Sequence, residues 1–186
     1  MRPGVLLYGP PAAGKDTITA ALVALDGRYV PFTRLKVGGG KTSGYRMGTP
    51  EQLADLEAHD DVIYRNERYG NVYVVDRPGL EEVTGGGGIP VVHLGQMAGV
   101  QVVGDGFPAR WACVLLWCSR QSTAERSRQR GDADTVARLA AWDATQADLA
   151  AHPHARWELR VDTDTTAPAE AAKRIDTVVR AAVPRS

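Results

Sequence analysis

Apolar positions fall into two rhythms along this chain. Consecutive apolar runs occur at Val5-Leu6-Leu7-Tyr8, at Ile89-Pro90-Val91-Val92-His93-Leu94 and from Trp111 to Trp117. Runs of that kind make strands of a parallel sheet that helices cover on both faces. Between and after them the spacing turns helical. Ile18, Ala21, Leu22 and Leu25 share one helix face, and so do Ala171, Ala172, Ile175, Val178 and Val179 in a helix predicted from Pro168 to Val183. Further helices are predicted over Met97–Val103, Ser122–Gln129 and Thr135–Ala151, with short strands at Arg28–Phe32 and Trp157–Val161. From residue 33 to about 83 this order breaks. Gly38 to Gly44 reads as a polar loop, and Thr49-Pro50-Glu51-Gln52 as a capped helix start running to about His59. Two short strands, Asp61–Tyr64 and Asn71–Val75, then flank Tyr69-Gly70. A short helix over Gly79–Val83 leads into the connector Gly85-Gly86-Gly87-Gly88.

The first strand and first helix enclose Gly9-Pro10-Pro11-Ala12-Ala13-Gly14-Lys15-Asp16-Thr17. Strand, Gly-x-x-x-x-Gly-Lys, helix is the phosphate-binding P-loop in its required context. Backbone N–H groups of Gly9, Pro10, Ala12, Ala13 and Gly14 and their neighbours, proline excepted, would cradle the phosphates, with Lys15 on the β- and γ-phosphates. The ligand expected is ATP with Mg²⁺. The position after the lysine, ordinarily Ser or Thr and a Mg²⁺ contact, is Asp16, followed by Thr17. Two roles stay open for Asp16: a metal contact shared with Thr17, or an acidic residue at a helix start, where negative charge is stabilising anyway.

With that loop placed, the alternation predicts an α/β fold of the P-loop nucleoside triphosphate hydrolase type: a parallel sheet sandwiched by helices. One domain is expected, with its core over residues 1–32 and 84–186. Residues 33–83 would be an inserted acceptor-binding subdomain, and a lid would span about 126–138.

Formal net charge is zero over 186 residues, which speaks against a nucleic-acid or acidic-membrane surface as partner. Cys113 and Cys118 lie five apart in an apolar run, on opposite strand faces, so free thiols are expected. With no signal-peptide pattern and no apolar run of bilayer length, a cytoplasmic monomer or homodimer is expected.

The cations must therefore be read locally. Arg126, Arg128 and Arg130 precede a Gly-Asp-Ala-Asp break suited to a lid, with Arg138 beyond it, and Arg34 sits past the Arg28–Phe32 strand. Together with the P-loop, several pieces resemble guanylate kinase in order and spacing. They are Thr33-Arg34, Gly44-Tyr45, Tyr69-Gly70-Asn71, Met97-Ala98-Gly99-Val100 and the stretch from Glu125 to Arg138-Leu139-Ala140. The resemblance implies that Arg34, Tyr45 and Tyr69 hold the acceptor's phosphate. It also implies that Lys15, Arg126, Arg130 and Arg138 act on the transferring phosphates. The second phosphate arginine expected in that family is replaced by Val37, leaving Lys36 or Lys41 to serve as a point charge. At the family's base-reading positions stand Tyr64, Asn71 and Gln96. Guanine presents N–H donors that call for carboxylates, so its loss from the acceptor range is expected. The Gly-Lys-Asp loop and the missing carboxylates look more like the ribose 1,5-bisphosphate phosphokinase branch. The acceptor expected is then a small phosphorylated molecule, either a sugar phosphate or a non-guanine nucleoside monophosphate. A guanylate kinase with a rearranged base pocket and a non-catalytic guanylate-kinase-like module are the alternatives.

Overall fold

The computed structural model of the chain describes residues 1–40, 42–68, 70–129, 131 and 135–181. Five strands form a wholly parallel sheet: β1 (Arg2–Tyr8), β2 (Tyr29–Pro31), β7 (Ile89–Leu94), β8 (Ala109–Trp117) and β9 (Leu159–Asp162). Their order across the sheet is β2-β7-β1-β8-β9, so β1 is central. That placement explains its composition: Val5, Leu6, Leu7 and Tyr8 are all wholly buried, with apolar layers on both sides.

Strand alternation divides those layers. Val5, Leu7, Val91, Val114 and Leu116 pack with Ile18 and Leu22 of α1 (Lys15–Leu25) and with Ala171, Ala172, Ile175 and Val179 of α7 (Pro168–Ala181). Leu6, Tyr8, Val92, Leu94 and Leu115 face the other way, onto Met97, Val100 and Val103 of α4 (Met97–Gly106). Leu149 of α6 (Thr135–Ala151) packs against that second layer. Asp148 ties it together: its Oδ2 accepts from Tyr8 Oη at 3.0 Å and from the Met97 N–H, the first of α4, at 2.8 Å. Cys113 and Cys118 are both free, one in each layer.

A second sheet takes up much of the interrupted segment. It consists of β3 (Leu35–Val37), β4 (Arg46–Gly48), β5 (Val62–Arg68) and β6 (Asn71–Asp76), in the order β4-β3-β6-β5. β5 and β6 are an antiparallel pair; β3 is antiparallel to β6 and parallel to β4. The hydrophobic pattern gave no sign of β3 and β4. At three residues each they are too short to show a period. One face of this sheet closes on α2 (Pro50–Ala58) through Leu35, Val74 and Leu53. The helix opens as its sequence indicates, with Thr49 Oγ1 accepting from Gln52 N–H and Gln52 Oε1 accepting from Thr49 N–H.

The residues of the opposite face are polar. Register places Lys36 beside Tyr73, and Tyr73 beside Asn66. A period of two adds Asn71 and Tyr64 to the same side.

The second sheet passes into α3 at Asp76, the last residue of β6, which is 1 % exposed. Its Oδ1 caps α3 (Arg77–Gly85) by accepting from Gly79 N–H at 2.9 Å, while Oδ2 pairs with Arg46 of β4. Removing the carboxylate leaves the helix start uncapped and the Arg46 guanidinium without its counter-charge, keeping the Thr33 oxygen and the Phe32 ring. Asp76→Ala is therefore expected to lower stability by about 2–4 kcal/mol. Asp76→Asn, which keeps the cap and loses the charge, is expected to cost clearly less. Urea unfolding of both variants checks this; equal losses would show that the ion pair alone carries the effect.

Candidate active site

The loop from Gly9 to Gly14 leaves β1 and enters α1 through two left-handed residues, Ala12 at φ 61° and Gly14 at φ 82°. Gly9 has no space for a side chain, since a Cβ there would lie 2.1 Å from the Leu116 carbonyl oxygen at the end of β8. The loop's carbonyls are gripped by side chains. Lys15 Nζ donates to the oxygens of Gly9 and Pro10 at 2.6 and 2.9 Å. Thr123 Oγ1 donates to Pro11 O at 3.2 Å, and Arg126 Nη1 to Ala12 O at 3.0 Å. In a planar trans peptide the next residue's N–H points away from the carbonyl, so holding Pro11 and Ala12 outward turns the following amides the other way. There the Ala13 N–H makes a long turn bond to Pro10 O at 3.3 Å. No side chain caps the first turn of α1, which leaves its N–H groups and the positive end of the helix dipole for an anion.

Arg126 thus serves as a brace in this arrangement. It lies on α5 (Arg120–Gln129), and its guanidinium also donates to Thr163 O at 2.7 Å and meets Asp164 Oδ1 at 3.3 Å. Thr123, Thr163 and Asp164 carry no motif that would have marked them as parts of the loop's support. Arg128 is exposed on α5, and Arg138 half-buried on α6. Tyr69, Arg130 and Lys41, together with residues 132–134 of the expected lid, lie outside the described residues.

Asp16 and Thr17 are exposed on the first turn of α1. The Asp16 side chain is 93 % accessible, and its Oδ1 lies 3.4 Å from His93 Nδ1. His93 Nε2 is 2.7 Å from Thr19 Oγ1. Burial, helped by the positive charge of Lys15, pushes the His93 imidazole down to about 4, so the ring is neutral near pH 7. The oxygen donors Asp16 and Thr17 suit Mg²⁺, a hard cation commonly held by one or two carboxylates together with substrate phosphates. The described residues contain no group of three or more acidic, histidine or cysteine side chains able to hold a metal unaided.

On the second sheet's polar face, Lys36 is 2 % exposed and donates through Nζ to Gly39 O at 2.6 Å. Its ammonium lies 5.5 Å from the Tyr45 ring centre and 5.8 Å from that of Tyr73, and the two rings are 5.2 Å apart. The Arg34 guanidinium stands 5.4 Å from the Tyr73 ring centre, and its Nη1 donates to Asn66 Oδ1 at 3.3 Å. Cation–π contact lets such charges sit close together without a carboxylate. Asn71 is packed against Gly38, where a Cβ would come within 2.1 Å of its Oδ1. Tyr64 Oη donates to Gln96 Oε1 at 2.5 Å, bringing two of the expected base-reading positions into one contact. Tyr73 and Asn66 were not singled out from the sequence. The signal for Tyr73 was present, since it stands two residues from Asn71 in one strand. A separate groove of about 540 Å³, lined by Val30, Phe32, Arg46, Glu82 and Gly88 among others, includes none of these loop or polar-face residues.

Charges on the two sides interact. Burial lowers the Lys15 pKa to about 8; Asp16 opposes this shift, and the positive charge of Arg34 adds to it. Arg34 therefore acts across the cleft on the phosphate loop.

The family model of chloramphenicol phosphotransferase-like proteins matches residues 93–180, from His93 in β7 into α7, and excludes the phosphate loop. No curated protein matches the chain in sequence. Among solved structures, guanylate kinase from Anaplasma phagocytophilum is similar with a TM-score of 0.64 at 18 % identity, over 97 % of this chain and 85 % of that one. The fold is of the P-loop NTPase type: a parallel sheet flanked by helices, with the loop at the end of the central strand.

The lowered Lys15 pKa has a measurable consequence. Below about pH 8 the free protein carries the ammonium that an anion needs; above it the charge is lost, although an unburied lysine would keep it. Affinity for ADP, followed by calorimetry from pH 6.5 to 9.5, is expected to be flat at first and to fall above about pH 8. The Lys15→Met variant is expected to bind weakly with no such bend. A bend of the same size in that variant would assign the titration to another group.

Proposed function

We propose that the chain is a phosphotransferase that moves the γ-phosphoryl group of ATP onto a small phosphorylated acceptor, a sugar phosphate or a non-guanine nucleoside monophosphate. The observation that carries this is the pairing of an uncapped phosphate loop with a facing set of cations and phenols. Of Arg34, Lys36, Tyr64, Asn66, Asn71 and Tyr73, none is acidic. Such a face suits the phosphate of an acceptor and offers no carboxylate to the N–H donors of guanine. The loop-and-helix arrangement supports nucleotide binding, and the similarity to chloramphenicol phosphotransferase-like proteins and to a guanylate kinase structure agrees with phosphoryl transfer.

The loop amides and Lys15 would hold the β- and γ-phosphates of ATP, with Lys15 exchanging its contacts to Gly9 and Pro10 for phosphate oxygens. Arg34 and Lys36, with Tyr45 beside Lys36, would fix the acceptor's phosphate so that one of its oxygens faces the γ-phosphorus, and Tyr69 belongs to this reading as a further phosphate contact. That oxygen forms the new P–O bond as the bond to the β-phosphate oxygen breaks, and ADP leaves. Such transfer depends on alignment and charge neutralisation more than on covalent chemistry. Arg130 and Arg138 belong to this reading as cations over the transferring group. Asp16 and Thr17 are the residues that would hold Mg²⁺, which when bound neutralises charge on the β- and γ-oxygens.

The test is ATP consumption with a panel of acceptors: pentose phosphates and bisphosphates, CMP, UMP, AMP and GMP. Turnover is expected with a member of the panel other than GMP, and Lys15→Ala is expected to abolish it in a folded protein. Arg130→Ala is expected to lower kcat by about two to four orders of magnitude. Efficient GMP phosphorylation would overturn the assignment of the polar face, and full activity in Lys15→Ala would overturn the phosphotransferase reading itself.

A further inference from the structure

His93 has no packing reason to be where it is. It lies in β7 one residue from the end, in register with Leu7 of β1, so it points into the layer that α1 covers beside the loop. Val91, two residues before it on the same face, is apolar and 1 % exposed. A neutral imidazole there gains little unless its ring nitrogens find partners, and Nε2 has one within hydrogen-bond distance while Nδ1 faces a carboxylate. Nε2 lies 2.7 Å from Thr19 Oγ1, and Nδ1 lies 3.4 Å from Asp16 Oδ1. Asp16 for its part lies inside the first turn of α1, whose cap position is Gly14, and among the described residues its carboxylate makes no hydrogen bond to the helix start. Its carboxylate is left leaning toward His93 and otherwise open to solvent beside the mouth of the loop.

We infer that His93 is a positioning residue. Braced by Thr19, it holds the Asp16 carboxylate at the mouth of the phosphate loop, where that carboxylate takes the divalent cation accompanying the nucleotide. In the tautomer this requires, the Thr19 hydroxyl donates to Nε2 and the Nδ1 proton is directed at Asp16. The strand end itself, Val91 to Gln96, supplies no carboxylate. The carboxylate beside the loop stands instead on α1, and the strand contributes the residue that faces it. A carboxylate beside phosphates is tolerable when a cation lies between them, and one held at a fixed angle loses less freedom on taking it. This inference rests on the nucleotide-binding role proposed above.

Binding, not turnover, gives the test. Calorimetry measures the affinity of the unaltered protein and its variants for ADP with Mg²⁺ and for ADP with EDTA. His93→Ala and Asp16→Asn are each expected to lose about tenfold or more in affinity for Mg²⁺-ADP. Metal-free ADP is expected to bind no more weakly than before, and more tightly in Asp16→Asn, where a negative charge is taken from beside the phosphates. The double variant is expected to lose no more than Asp16→Asn alone, because His93 acts only through Asp16. His93→Asn, whose amide N–H can replace Nδ1–H, is expected to recover part of the loss. Asp16 is exposed, so Asp16→Asn provides a folded protein if His93→Ala does not. An unchanged ratio of Mg²⁺-ADP to metal-free affinity in Asp16→Asn would overturn the inference. So would losses in the two variants that fall equally on both ligands. If the unaltered protein binds ADP under neither condition, the nucleotide-binding reading fails, and this inference fails with it.

Discussion

The grip on the carbonyls of the phosphate loop is the contact on which the site depends. An anion can be held by backbone amides only if those amides are kept from pairing elsewhere and their carbonyls are satisfied. Here Thr123 and Arg126 take the Pro11 and Ala12 oxygens, and Lys15 takes those of Gly9 and Pro10. Arg126 reaches onward to Thr163 and Asp164, so the loop, α5 and the segment after β9 are fixed by one guanidinium. Gly9 belongs to the same constraint, because any side chain there would push β1 off the end of β8.

The second sheet serves the cleft by being two-faced. Leu35, Val74 and Leu53 close one side into a small core, and the alternate positions then have to face outward. Those positions carry Lys36, Tyr73 and Asn66, a row that register alone aligns across three strands. Burying an ammonium as deeply as Lys36 is costly unless its charge is answered. The Gly39 carbonyl and two phenol rings answer it, and an acceptor phosphate would do so more strongly.

The two sides are electrostatically one site. Arg34 depresses both Lys15 and His93 from across the cleft, so each cation raises the cost of its neighbours staying charged. A bound anion relieves that strain from both directions. The arrangement favours a phosphorylated ligand on each side over a cation cluster open to water.

The sequence by itself determined the sheet and the loop. Val5–Tyr8, the Gly-x-x-x-x-Gly-Lys spacing and the face of Ile18 and Leu22 are local signals, because a buried strand, a left-handed turn and an amphipathic helix are each specified within a few residues. The Thr49–Gln52 helix start was legible for the same reason. What the tertiary structure decided is what those elements touch. That Arg126 braces the loop, that Tyr73 meets both Arg34 and Lys36, and that His93 meets Asp16 all depend on contacts between residues 37 to 114 positions apart. β3 and β4 escaped because three residues cannot display a period, and a sheet edge borrows its order from the strand beside it. Local chemistry fixes which groups the chain carries; only the register of the strands and the packing of α1 and α5 against them fix which of those groups meet.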